Sequence, residues 1–186
     1  MIGYAICGSF CTHAASIKTL RYLRDSGADI LPIVSETVFT TDTRFGKAED
    51  LLKNMREICG RDIIHTVKDA EPIGPSINLD YLIIAPCTGN TLAKMARGIT
   101  DGAVTMAAKA HLRSDRPLLI ALASNDAMSA NLSSLAVMLQ RKNVYFVPMK
   151  QDDPLRKPHS LIANFEKIPE AIEAMKEGRQ MRPLFL

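Results

Sequence analysis

Short apolar runs alternate with helical segments along almost the whole chain, and this alternation constrains the fold more than any other feature. Five runs predict strands, at 2–7, 29–34, 81–85, 117–123 and 144–147, and 63–66 predicts either a short strand or an irregular connection. Continuously apolar strands are covered on both faces. Strands separated by helices join through right-handed crossovers into a parallel sheet. The pattern therefore predicts a three-layer α/β sandwich with a parallel Rossmann- or flavodoxin-like sheet, as one domain over residues 1–186.

The segments between these runs predict helices at 12–24, 47–59, 90–98, 102–113, 130–142 and 160–176. Apolar residues spaced three and four apart define the expected inner faces: Ala15, Ile17, Leu20 and Leu23; Leu92, Met95, Ala96 and Ile99; Leu132, Leu135, Ala136 and Leu139. Gly27 and Gly60 are predicted to end the first two helices, because glycine accepts the left-handed conformation. The tail from Gly178 is expected to be loose or to contact another chain.

Composition argues against several function classes. The net charge of +3 is not gathered into blocks, which disfavours nucleic acid and membrane surfaces as partners. No apolar run approaches the roughly 20 residues of a membrane span. The first residues lack a charged leader, which predicts a cytoplasmic protein. Four cysteines and four histidines are too scattered to predict a metal site.

Polar residues cluster in four loops that each follow a predicted strand: loop one (8–12), loop two (35–41), loop three (86–91) and loop four (124–129). In a parallel sheet these loops open on one edge, where open α/β folds bind ligands. Their hydroxyls and free amides suit a phosphate, although Ser, Thr and Asn are also common helix caps. Gly8 begins neither a G-x-G-x-x-G fingerprint nor a P-loop. FMN is therefore expected in preference to a Rossmann-bound NAD(P).

These loops resemble those of the flavoprotein family, which includes flavin-containing cysteine decarboxylases, phosphopantothenoylcysteine decarboxylase and flavin prenyltransferase. The family's Pro-Ala-Ser-Ala-Asn-Thr motif corresponds to 86–91, and its Ala-Lys-x-Ala-x-Gly-Ile-x-Asp continuation to 93–101. Its Met-Asn-x-x-Met-Trp motif is matched at Asn125 and Met128, with Ser129 in place of tryptophan. The catalytic histidine of the decarboxylases is absent from 39–41.

The resemblance implies FMN as the cofactor and a homo-oligomeric assembly. The residues that would bind the flavin are Gly8, Ser9, Ser35, Thr37, Pro86, Cys87, Thr88, Gly89, Asn90, Thr91, Asn125 and Met128. Loop three and the charged segment 152–160 are most similar to one subunit of a two-subunit oxidoreductase of spore-forming bacteria. That similarity implies oxidation of a small dihydropyridine dicarboxylate in the mother cell during sporulation, together with a partner protein that carries NADP.

Oxidation of a dihydropyridine dicarboxylate by hydride removal requires a hydride acceptor, two cationic anchors for the carboxylates, and a base for the released proton. Guanidinium and ammonium groups suit carboxylates, so the candidate anchors are Arg44, Lys150, Arg156 and Lys157. His13, just after loop one, is the candidate base. Solvated surface charge and a capping or core histidine are the alternative interpretations. The sequence therefore leaves the catalytic residue undecided.

Two other functions remain open. The chain fits a non-catalytic docking protein that keeps the flavoprotein fold and contacts its partner through residues 150–159 and 181–186. It also fits a stand-alone flavin-dependent decarboxylase, although the missing histidine disfavours that function.

Overall fold

The computed structural model describes residues 1–186 and places a central sheet between two layers of helices. The strands are β1 (Ile2–Ile6), β2 (Ile30–Val34), β3 (Leu82–Cys87), β4 (Leu118–Ser124), β5 (Val144–Phe146), β6 (Met149–Lys150) and β7 (Leu161–Ala163). Five of them pair in parallel in the order β2-β1-β3-β4-β5. This is the flavodoxin-like strand order. The predicted three-layer α/β fold is confirmed.

Eight helices cover the sheet. They are α1 (His13–Asp25), α2 (Glu36–Thr40), α3 (Ala48–Cys59), α4 (Val67–Ala70), α5 (Gly89–Arg97), α6 (Ala103–Arg113), α7 (Leu132–Gln140) and α8 (Ile168–Lys176). Short 3₁₀ turns precede α1 (Phe10–Thr12) and α8 (Phe165–Lys167). Gly27 and Gly60 follow α1 and α3 at φ +91° and +64°, so both predicted helix stops are confirmed. None of these helices combines the length and the hydrophobicity that a membrane-spanning helix needs.

Each face of the sheet has its own hydrophobic core. Along β3 the side chains alternate between them, because successive strand residues point to opposite faces. Ile83 packs with Tyr4 under α1, α3 and α8, and Ile84 packs with Leu92 under α5, α6 and α7. All four of these side chains are fully buried.

The region after residue 147 contains two strands that were not predicted, and the predicted start of the last helix at residue 160 is wrong. β6 and β7 follow β5, and β7 runs antiparallel both to β6 and to the end of β4. The predicted helix at 160–176 therefore begins only at Ile168, after β7 and a 3₁₀ turn. Pro169 lies in the first turn of α8, where a helix does not need its missing N–H.

Two connections also differ from expectation. Loop two contains the short helix α2, which Ser35 caps by accepting a hydrogen bond from the Val38 amide at 3.4 Å. The segment 63–66 forms no strand and has only an isolated bridge between Ile33 and Ile64. Of the two structures expected for 63–66, a short strand or an irregular connection, it forms the irregular connection.

Several residues expected on inner helix faces are exposed. In α1, Ala15 faces solvent and Ser16 is buried, because the Ser16 hydroxyl donates to the Ala85 carbonyl. Ile99 is 46% exposed because α5 has already ended at Gly98. In α7, Leu132 and Ala136 face outward, since Ser134, Leu135 and Met138 occupy the inner side.

The C-terminal tail is not loose. The Met149 amide donates to the Leu184 carbonyl at 2.8 Å, and the Leu186 amide donates to the Met149 carbonyl at 2.9 Å. The Gln180 side chain binds both the amide and the carbonyl of Phe146. The tail therefore continues the sheet beside β6.

Candidate ligand pocket at the sheet edge

Loop one and loop three meet where the strand order reverses between β1 and β3. The Cys7 amide donates to the Pro86 carbonyl at 3.1 Å, and the Thr91 hydroxyl donates to the Cys7 sulfur at 3.4 Å. In open α/β sheets this reversal point is the usual location of ligand pockets.

A pocket of about 320 Å³, here called the edge pocket, opens at this point. Six predicted site residues line it: Gly8, Ser35, Thr37, Thr88, Asn90 and Thr91. The other lining residues are Glu36, Lys94, Asp101, Gly102, Ala103, Val104 and Thr105. Its volume is at the lower end of the roughly 300–1,000 Å³ typical of ligand pockets. Only Ala103 and Val104 are apolar, so the walls suit a hydroxyl-rich or anionic group.

Three helices begin at the edge pocket. Thr88 caps α5 by accepting a hydrogen bond from the Thr91 amide at 3.2 Å, and Ser35 caps α2. α6 begins at Gly102, whose amide donates to the Thr105 hydroxyl at 3.2 Å. The caps use one N–H group at each of these helix starts, and the other first-turn N–H groups have no partner within their helix. First-turn N–H groups also carry partial positive charge. The edge pocket can therefore bind an anion through backbone amides.

Charged side chains reduce that preference for anions. Lys94 and Asp101 form an ion pair of 2.8 Å at the rim. The hydrogen bond from Lys94 lowers the pKa of the Asp101 carboxyl. Glu36, at the start of α2, has no ion-pair partner in the chain. With one cation and two carboxylates among its walls, the edge pocket attracts anions through its helix starts and can accept hydrogen bonds from ligand hydroxyls.

The thiols behind the pocket are unsuited to nucleophilic chemistry. Burial raises the pKa of Cys7 to about 11 and also raises that of Cys87, so both remain protonated near neutral pH. A thiolate is the reactive form of cysteine. Cys87 and Pro86 belong to β3 and are buried within it, behind the residues that line the edge pocket.

Loop four does not reach the edge pocket, although four loops were expected to share one cleft. Asn125 is exposed, and Met128 is half-buried against the hydrophobic core. The Met128 amide donates to the His159 carbonyl at 2.9 Å, which ties loop four to the segment before β7. Loop four instead packs behind Gly89, where an added Cβ would lie 2.7 Å from the Asp126 carboxylate.

A second pocket of about 430 Å³, here called the side pocket, lies across loop one between α1 and α3. It contains His13, the candidate base, whose Nε2 is 2.8 Å from the Cys7 carbonyl. A carbonyl only accepts, so Nε2 carries the hydrogen. Burial lowers the pKa of His13, which keeps the ring neutral near pH 7. Loop one and α2 separate the two pockets, and Ser9, between Gly8 of the edge pocket and Phe10 of the side pocket, lines neither of them.

The candidate anchors lie outside the edge pocket. Arg44 is exposed, with its guanidinium 4.9 Å from the centre of the Phe45 ring. Lys157 pairs with Asp152 at 2.7 Å, and the Arg156 amide donates to the Asp153 carboxylate at 3.1 Å. Lys150 lies in β6. Arg44 alone lies beside a pocket, since Phe45 lines the side pocket.

Sequence reasoning missed Glu36, Lys94 and the start of α6 as parts of the site. Lys94 and Asp101 stood in the matched motif without an assigned role. Glu36 directly follows Ser35, but the short helix that turns it toward the edge pocket was not foreseen. No group of three or more His, Cys, Asp or Glu side chains is arranged to hold a metal ion.

Comparisons with known proteins match the whole chain. The flavoprotein family profile matches residues 1–175. The B subunit of dipicolinate synthase from Bacillus subtilis (strain 168) is 37% identical over 185 residues, which cover 100% of this chain and 92% of that protein. The crystal structure of the corresponding B subunit of dipicolinate synthase from Bacillus halodurans has a TM-score of 0.91 at 38% identity, covering 100% of this chain and 95% of that one. The FMN-dependent cysteine decarboxylase SpaF shares the fold, with a TM-score of 0.69 at 20% identity and 95% coverage of both chains.

Proposed function

This chain belongs to the flavoprotein family, and we propose that it is the B subunit of a dipicolinate synthase. In this proposal it oxidises dihydrodipicolinate to dipicolinate together with a nicotinamide-binding A subunit, in the mother-cell cytoplasm of a sporulating bacterium. The observation that carries the proposal is the full-length similarity to two B subunits, at 37% and 38% identity.

The proposed reaction removes a hydride and a proton from a dihydropyridine ring. NADP on the A subunit is the final acceptor of the two electrons, and a base accepts the proton. This chain contributes binding, orientation and exclusion of water around the dicarboxylate. His13 is the candidate base, because its neutral ring has an Nδ1 lone pair with no partner in the chain.

The edge pocket fits the polar end of FMN. Amides at the starts of α2 and α5 suit the phosphate. The Thr37, Thr88 and Thr91 hydroxyls and the Glu36 carboxylate suit the ribityl hydroxyls. When bound, a flavin supplies a two-electron acceptor. The isoalloxazine ring requires apolar contacts that Ala103 and Val104 alone do not provide, so in this proposal the ring extends beyond the edge pocket.

Replacing Asn90 tests the flavin site. Losing a hydrogen bond to a charged or strongly polar group costs roughly 1.5–3 kcal/mol, or about 10- to 150-fold in affinity. Asn90→Ala should weaken FMN binding by that factor, measured by quenching of flavin fluorescence, with an unchanged unfolding midpoint. Equal FMN affinity in both proteins would remove Asn90 from the site.

The decisive experiment measures dipicolinate formation with each of the two proteins alone and with both together, with and without added FMN. Formation only with both proteins supports the proposal. Full activity of the A subunit alone would refute it.

A non-catalytic docking role is the second candidate. The observation that favours it is the polar edge pocket, which has little apolar wall for a flavin ring and two carboxylates near the anion site. A colourless purified chain that still activates the A subunit would support this function. A yellow chain with flavin absorption would support the first.

The family also leads us to propose a homo-oligomer. α7 has no charged residue, and its outward side chains include Leu132 at 52% and Val137 at 47% exposure. An uncharged apolar helix face suits contact with another copy. Light scattering on the purified chain tests this, and a mass of 20.4 kDa would show a monomer.

A further inference from the structure

We infer that the side pocket is the binding site for the planar dicarboxylate, which rests on the proposed function and specifies where its substrate lies. Half of the residues that line this pocket are apolar. They include two aromatic rings, Phe10 from loop one and Phe45 from the turn before α3. Ile17, Val38 and Leu51 supply aliphatic contacts between them. Such walls suit a flat six-membered ring, because aromatic rings stack or meet edge to face.

One cationic side chain lines the side pocket, and a second lies beside it. Lys47 lines it, and Arg44 lies against the Phe45 ring at 4.9 Å. Neither side chain forms an ion pair within the chain. Asp50 is the one acid in the lining. Two unpaired cations are the charges that two ring carboxylates require, since charge-assisted hydrogen bonds to carboxylates are the strong ones.

His13 adds a hydrogen-bond acceptor to these walls. Its Nε2 hydrogen is used by the Cys7 carbonyl at 2.8 Å, so Nδ1 holds a lone pair. The ring also lies 5.0 Å from the Phe10 ring, between centres, which fixes its position beside the aromatic wall. Nδ1 can therefore accept a hydrogen bond or a proton from a ligand in the side pocket.

The two pockets share a partition. Gly8 and Thr37 line the edge pocket, and their neighbours Phe10 and Val38 line the side pocket. A Cβ placed on Gly8 would lie 3.5 Å from the Thr37 methyl and 3.6 Å from the Phe10 ring, so the partition is one layer of residues thick. A dicarboxylate in the side pocket is therefore next to the proposed flavin site and separate from it.

The test is calorimetric titration of the full chain with dipicolinate, the stable product. Removing one charged contact is expected to weaken binding roughly tenfold, which corresponds to about 1.4 kcal/mol. We expect that loss for Lys47→Gln, which removes a cation. Phe45→Ala should also weaken binding, because it removes an aromatic wall of the pocket and the ring against which Arg44 lies. Lys53→Gln, at an exposed position of α3, and Phe185→Ala, at a tail position as exposed as Phe45, are the matched controls and should bind as the parent does.

Two comparison ligands test the chemistry. Benzene-1,3-dicarboxylate keeps the carboxylates and should bind, whereas pyridine lacks them and should not. The inference is overturned if dipicolinate does not bind at millimolar concentration, or if the control variants weaken it as much as Lys47→Gln does. It is also overturned if Asn90→Ala weakens dipicolinate binding while Lys47→Gln and Phe45→Ala do not, because the ligand would then lie in the edge pocket.

The outcome is separable from that of the proposed function. Dipicolinate bound in the side pocket, with no synthesis when the A subunit is added, would retain this inference and refute the proposed function. Synthesis with both proteins, with no effect of the side-pocket variants on dipicolinate binding, would support the proposed function and refute this inference.

Discussion

Gly89 allows two loops to touch because it has no side chain. A Cβ at this position would lie 2.7 Å from both the Asp126 carboxylate and the Asn131 amide nitrogen. Asp126 accepts hydrogen bonds from the Ser124 hydroxyl and, at 2.8 Å, from the Asn131 side chain. The family motif has alanine at this position. The absence of a methyl group at Gly89 allows loop four to pack closely against loop three.

Gly89→Ala should therefore destabilise the protein. Overpacking a filled site costs about 1–3 kcal/mol, which urea unfolding measures. Gly102→Ala is the control for space, because the nearest atom to its Cβ is 3.8 Å away. It should cost less than Gly89→Ala, since it loses only the preference for glycine over alanine before a helix. Equal midpoints for Gly89→Ala and the parent would mean that loop four moves away without cost.

Two histidines should make stability depend on pH. Burial is the main cause that lowers the pKa of both His13 and His111, and each donates through Nε2 to a backbone carbonyl. A folded-state pKa below the unfolded value means that the unfolded chain binds more protons. Stability is therefore complete above the ordinary histidine pKa of about 6.5 and falls as pH drops below it.

His111→Gln should reduce this dependence. We expect the urea midpoint of the parent to fall between about pH 7.5 and pH 5.5, a range that spans the ordinary histidine pKa. The variant should show a smaller fall. An identical fall in both proteins would assign the effect to other groups.

At the scale of elements, the C-terminal tail acts as an additional strand. Leu184 is 8% exposed and its carbonyl is bonded to β6, whereas Leu186, two residues on, is 57% exposed. The tail pairs with Met149, which is more than 30 residues earlier in the sequence, so no local sequence pattern could predict this pairing.

Leu184→Ala should lower the free energy of unfolding by about 2 kcal/mol, the lower end of the range for a buried leucine. Leu186→Ala should change it by less than about 0.5 kcal/mol, as for most exposed positions. Denaturant titration of the two variants measures the difference. Equal losses would mean that the tail is not held through Leu184.

The elements that sequence predicted well have strong local signals. The long apolar runs 81–85 and 117–123 and the glycine stops of α1 and α3 each depend on a few adjacent residues. β6 and β7, with two and three residues, are too short to show periodicity. α2 has five residues and was hidden in a polar loop. α7 has more apolar residues than buried positions, so the spacing of apolar residues could not predict which side of the helix faces the core.

At the scale of the whole molecule, the sheet joins two cores into one structure. We propose that residues 1–186 unfold as a single domain, because every central strand contributes to both cores. Ile83→Ala and Ile84→Ala remove equivalent side chains from opposite faces of β3. Each should cost about 2–5 kcal/mol and leave one transition by circular dichroism. A second transition in either variant would indicate that one face unfolds independently.

The topology also explains how much of the edge pocket was predictable. Loops one, two and three follow the neighbouring strands β1, β2 and β3, so parallel pairing alone brings them together. Loop four follows β4, whose last residues pair with β7. That antiparallel hairpin binds loop four through His159 and Met128, and a long-range contact of this kind leaves no periodic signal.

Cleavage of the chain in the exposed turn between β6 and β7 should leave the two fragments bound to each other. Leu155 is 95% exposed, and trypsin can cut after Arg156 but not readily after Lys157, which precedes proline. The smaller piece, 157–186, would keep α8 in one core and Leu184 against β6. Brief digestion should thus yield two bands on a denaturing gel and a single peak in gel filtration, so that either piece can be labelled or replaced by itself.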